Sequence, residues 1–149
     1  MIGDSNTEWG FRNNGWAGKL SDKLIRRADI VNRGFSGYNT RMIRIILPDL
    51  LSEFRDEELS GAVIMLGTND SVNKSWVPIH VPLEDYVKNM NSIITQLIRK
   101  KIPKSRIIIV TPPRIDDEKW TAVLKSWGIM VNDHSDILVK EYAQAAKRI

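Results

Sequence analysis

The chain is predicted to be one α/β domain, a parallel sheet covered by helices on both faces, and three observations carry that prediction. Short runs rich in Val and Ile recur along it, longer stretches of helical period lie between them, and a loop motif stands wherever an early strand should end. At 149 residues the whole of 1–149 fits a single domain large enough to bury a core without staples.

The first strand has room for only Met1 and Ile2 before Gly3, well short of the ~5 or 6 residues usual for a strand. Trp16 to Arg27 carries apolar residues three and four apart and predicts a helix. Ile30 to Asn32, Ala62 to Leu66 and Arg106 to Thr111 are the other strands, and their continuous apolar character suits burial on both sides. Arg41 to Phe54 predicts a second helix that Pro48 should kink or end. Leu83 to Lys101 predicts a third, with Tyr86, Met90, Ile93, Ile94, Leu97 and Ile98 forming one core-facing stripe. Pro112-Pro113 closes the strand ending at Thr111, and Asp116 to Ile149 predicts one or two further helices.

Composition narrows the function classes. The absence of cysteine excludes a disulfide framework and thiolate metal sites, and two histidines leave little for zinc. A net charge of +4 raises nucleic-acid binding, but the basic doublets Arg26-Arg27, Lys100-Lys101 and Lys147-Arg148 fall at the ends of apolar-periodic segments. There they complement helix C-termini, and no aromatics interleave with them, so nucleic acid is not an expected partner. No run approaches the ~20 apolar residues that cross a bilayer, and no opening stretch has a secretory layout. The expectation is a soluble, cytoplasmic protein with no membrane partner. Asn69-Asp-Ser71 and Asn73-Lys-Ser75 fit the glycosylation sequon and are taken as chance matches.

Gly3-Asp4-Ser5, Gly37 within Asn32 to Thr40, and Gly67-Thr68-Asn69-Asp70 are the three loop motifs. In open α/β sheets ligands bind beyond the carboxyl ends of the strands, where such loops converge. Singly, each has a plain explanation: Ser5 or Asp4 as an exposed helix cap, Gly37 as a residue needing positive φ, Asn69 as an Asx-turn residue. In conjunction they supply a serine nucleophile, Ser5, with the Gly37 N–H and the Asn69 amide as donors to an oxyanion. Trp9, Phe11 and Trp16 follow closely enough to line a pocket or to pack in the core.

These motifs resemble blocks one to three of the SGNH (GDSL-type) hydrolases. Asn32 to Thr40, His80-Val-Pro-Leu-Glu-Asp-Tyr86 and Thr111-Pro-Pro113 are similar to the isoamyl acetate-hydrolysing esterase branch of that family. The resemblance covers nearly the whole chain and implies a three-layer α/β/α, flavodoxin-like fold. It also implies hydrolysis of small carboxylic esters through an acyl-Ser5 intermediate, with Ser5, Gly37 and Asn69 as the site. No metal or organic cofactor is called for, and the expected partner is a small-molecule ester.

The family keeps its base in an Asp-x-x-His motif, where the aspartate orients the imidazole. Val77 stands three residues before His80 and Val131 three before His134, so neither histidine fits. The resemblance implies a further strand, that motif and a last helix after Ile149. This polypeptide is therefore expected to lack an edge strand and a base, to show little esterase activity, and to pair through its open sheet edge as a homo-oligomer. The alternative is a catalytically dead SGNH-like binding module.

Overall fold

The computed structural model describes residues 1–73 and 78–149, so Lys74 and Ser75 of the second sequon lie outside it. Among the described residues four strands, β1 (Ile2–Gly3), β2 (Arg33–Gly34), β3 (Ala62–Met65) and β4 (Ile107–Val110), form one sheet in the order β2-β1-β3-β4, every pair parallel. Ile2 pairs with Arg33 on one side and Ile64 on the other, while Ala62 to Met65 run alongside Ile107 to Val110. Among the described residues six α-helices accompany the sheet: α1 (Ser5–Glu8), α2 (Trp16–Lys23), α3 (Thr40–Ser52), α4 (Leu83–Arg99), α5 (Asp117–Ser126) and α6 (Asp136–Ala146).

Parallel strands joined through helices cross over with a right hand. Moving out from β1 to β2 and then back across to β3 and β4 therefore sends α2 to one face and α3 and α4 to the other. The latter two pack on each other, and α6 packs on α4. Ile43 and Leu47 of α3, Ile64 of β3, and Tyr86, Met90, Ile93 and Leu97 of α4 make the solvent-free centre of that layer. Fully burying a side chain of this size is worth ~1.5–3 kcal/mol. The predicted stripe on α4 is thus the core face, except that Ile98 is 42% exposed.

Three expectations need correcting. β2 lies at Arg33–Gly34, not Ile30 to Asn32, because β1 offers only two residues to pair with and their register selects Arg33 and Gly34. Val31 still joins the ladder, accepting from the Met1 amine at 2.7 Å. Glycine is required at 34 because a Cβ there would stand 2.0 Å from the Glu8 nitrogen. α2 stops at Lys23 rather than Arg27. Finally, α3 runs through Pro48 to Ser52. The proline removes the N–H that would bond the Arg44 carbonyl four residues back; Gln96 Nε2 on α4 donates to that carbonyl instead, at 3.2 Å.

Candidate functional site

All three motifs lie at the carboxyl ends of strands. Gly3 ends β1 and Asp4 caps the next helix, its Oδ1 accepting from Asn6 N at 2.9 Å and Asn6 Nδ2 at 3.1 Å. Ser5 is thereby fixed as the first residue of α1 and is half-buried. Asp4 is the cap the sequence suggested, but it is fully buried, not exposed. β1 sits between two strands, so the residue following it enters the protein interior. Burial pushes its carboxyl pKa up against the opposing Asn6 bonds, and its Oδ2 has no partner among the described residues.

Gly37 follows β2 at φ +79, with open space where a Cβ would point, so its positive φ alone demands glycine. Gly67, after β3, has φ +128, and a Cβ there would stand 3.1 Å from Pro112 and 3.3 Å from Tyr86. Behind it the chain turns tightly, Ser71 N returning to the Gly67 carbonyl at 3.0 Å.

Side chains tie the loops together pairwise. Asn6 Nδ2, beside Ser5, donates to Thr68 Oγ1 at 3.3 Å, and Asn69 Nδ2 donates to the Tyr38 carbonyl at 2.8 Å, next to Gly37. Ser36 N donates to Glu8 Oε2 at 2.6 Å, closing the third side. Ser5, Gly37 and Asn69 therefore belong to one loop cluster at one end of the sheet.

Beneath it lies a layer of buried polar groups that sequence reasoning missed. Asp70 accepts from Thr40 N at 3.0 Å and from the Thr40 hydroxyl, which in turn accepts from Asn89 Nδ2 at 3.1 Å. Asn39 caps α3 by accepting from Met42 N at 3.0 Å and donates to the Ile79 carbonyl at 2.8 Å. Asp70 and Thr40 stood inside quoted motifs with no role assigned. The overlooked signal was Asn89, a polar residue on the buried face of α4 between Tyr86 and Met90. A buried amide on an apolar stripe requires a polar partner across the interface.

The neighbouring aromatics divide. Trp16 anchors the cluster by donating from Nε1 to the Asn6 carbonyl at 2.9 Å. Trp9 and Phe11 remain 46% and 45% exposed, with the Arg12 guanidinium 5.3 Å from the Trp9 ring centroid.

Neither imidazole is hydrogen-bonded to Ser5. His80 Nδ1 lies 2.9 Å from the Val72 carbonyl. His134 Nδ1 pairs with Asp133 Oδ1 at 2.7 Å, and its ring packs edge-on against Trp120 at 5.5 Å. Trp120 and Asp133 enclose the His134 ring. Among the described residues no group of His, Asp and Glu side chains converges as a metal site, and no helix is long and apolar enough to cross a membrane.

A parallel α/β sheet with serine, glycine and asparagine motifs on the loops at its carboxyl end defines the class of the SGNH-type folds. Residues 1–147 match the GDSL-like lipase/acylhydrolase family, and the chain belongs to it. Isoamyl acetate-hydrolyzing esterase 1 homologs of Bos taurus and Homo sapiens are 39% and 38% identical to it across 100% of its length. The chain spans 60% of the length of each. Among solved structures, the acetyl xylan esterase AlAXEase superimposes with a TM-score of 0.73 at 18% identity, covering 99% of this chain and 69% of that one. The carbohydrate acetylesterase Est24 of Sinorhizobium meliloti gives 0.69 at 20% identity, covering 99% and 76%. At such identities these two speak for the fold alone.

Proposed function

We propose that this chain carries the nucleophile half of a carboxylic ester hydrolase acting on small acyl esters of the isoamyl acetate type. Ser5 Oγ attacks the ester carbonyl, and the N–H groups of Ser5 and Gly37 with the Asn69 side-chain amide receive the developing oxyanion. The alcohol leaves, and water releases the acid from the acyl-Ser5 intermediate. The single observation that carries this reading is the joining of the three loops through Asn6–Thr68 and Asn69–Tyr38. Family membership and the isoamyl acetate esterase relatives support the chemistry. Asn69 Nδ2 now donates one hydrogen to Tyr38 and keeps its second for an incoming oxygen.

With His80 on Val72 and His134 on Asp133, the serine proton has no imidazole acceptor among the described residues. We expect turnover by this polypeptide to fall about 10⁴ to 10⁶ below that of a complete triad. The test is hydrolysis of p-nitrophenyl acetate by the chain and by Ser5→Ala. A slow Ser5-dependent rate is expected; a rate unchanged by Ser5→Ala overturns the assignment of the nucleophile, and fast Ser5-dependent turnover overturns the proposed missing base.

A further inference from the structure

We propose that Asp70 is a positioning residue for this site: its buried carboxylate, held by the N–H and hydroxyl of Thr40, clamps the loop bearing Gly37 against the turn bearing Asn69. This deepens the esterase reading and rests on it for the roles of Gly37 and Asn69.

The geometry is direct. Asp70 is fully buried, and its Oδ1 and Oδ2 lie 3.0 and 3.2 Å from Thr40 N. Thr40 is the first residue of α3, so the carboxylate also faces the positive end of a 13-residue helix. The Thr40 hydroxyl donates to Oδ1 and is itself oriented by Asn89 Nδ2. One residue earlier on the same turn, Asn69 Nδ2 holds the Tyr38 carbonyl at 2.8 Å. Residues 38 and 40 are thus fastened to residues 69 and 70 at two adjacent points, one of them through a carboxyl group. Hydrogen bonds to a carboxylate are about twice as strong as neutral ones. A neutral residue of the same shape would keep the loops near each other but relax the positions of the Gly37 N–H and the Asn69 amide.

The groups facing Asp70 are Asp4 of the α1 cap, Tyr86 of α4 and Tyr142 of α6. The tyrosine hydroxyls are spent on the Leu66 and Val81 carbonyls, at 3.2 and 2.5 Å, so Thr40 is the side-chain donor to the carboxylate. Burial drives the Asp70 pKa up to about 7, with the nearby Asp4 adding to it, while the Thr40 bonds pull the other way. Protonation turns an acceptor oxygen into a donor and rearranges the Thr40 bonds, so the two loops should shift together as pH falls through this value.

The test follows the Thr40 and Gly37 backbone amides and the Asn69 side-chain amide by NMR from pH 5 to 8.5, in the full chain, Asp70→Asn and Thr40→Val. In the wild type all three signals should move in one step near pH 7. Asp70→Asn should abolish the step, and Thr40→Val, which removes a donor to the carboxylate, should move its midpoint upward. Ser5-dependent hydrolysis of p-nitrophenyl acetate should slow roughly ten-fold in Asp70→Asn, as expected for displaced donors. Gly37 and Asn69 signals that stay still while Thr40 titrates, or a step that survives in Asp70→Asn, would overturn the clamp. If Asp70→Asn does not fold, the direction of the Thr40→Val shift decides. A p-nitrophenyl acetate rate unchanged by Ser5→Ala, with the NMR step intact, would instead strike the esterase reading and leave the clamp standing.

Discussion

The layer of α3, α4 and β3 and the loop cluster at the carboxyl end of the sheet are both buried, but they are held together by different physics. In the layer, Ile43, Leu47, Ile64, Met90, Ile93 and Leu97 belong to one buried apolar cluster, and stability scales with area removed from water. In the cluster, Asp4, Asn39, Thr40, Asp70 and Asn89 are equally hidden, and each must find a partner or carry the cost of desolvation. The first region tolerates exchange of one apolar shape for another. The second fixes atoms, as a site for chemistry requires.

Substitutions can break this contrast. Ser5→Ala should abolish Ser5-dependent ester cleavage while leaving stability within about 0.5 kcal/mol, since the residue is only half-buried and the change removes a single oxygen; paired activity and melting measurements check this. Asn69→Ala should cost about 10² to 10³ in the same rate, the usual loss for one oxyanion donor, and more in rate than in stability. Met90→Ala should do the reverse, destabilising the fold by ~2–5 kcal/mol in denaturant titration through the cavity it leaves.

A smaller effect sharpens the comparison through pH. Burial raises the Asp70 pKa from its ordinary 3.8 to about 7, and Asp4 moves the same way. Between those values the folded chain holds protons that the unfolded chain has released. The stabilising contribution is therefore full below about pH 4 and is lost as pH rises to about 7. Urea midpoints at pH 5 and 7.5 should show that decline in the wild type and a flatter response in Asp70→Asn. The smallest change is expected at Trp127, which is 61% exposed beside Met130 and Val131: Trp127→Ala should alter stability by no more than about 1 kcal/mol, its edge contact with Trp120 at 5.8 Å being the main loss.

Particular residues show why some of this was legible and some was not. The α4 stripe was plain because a period of 3.6 places Tyr86, Met90, Ile93 and Leu97 on one side whatever lies opposite. Gly37 and Gly67 declared their loops because few other residues tolerate their φ values. Pro48 misled because the partner that relieves it, Gln96, comes from another helix. Asp4 was misjudged because a cap is a local property, whereas its burial follows from the central place of β1 in the sheet.

The sequence by itself determined the α/β alternation, the apolar faces of its helices, the three loop motifs and the family they belong to, all of which depend on neighbours in the chain or on short patterns. Only the tertiary structure decided that β2 starts at Arg33, that His134 turns to Asp133 and Trp120, and that Thr40 meets Asp70 across thirty residues of chain. Burial and the hydrogen bonds it compels are properties of surroundings assembled from distant segments, and no local pattern encodes them.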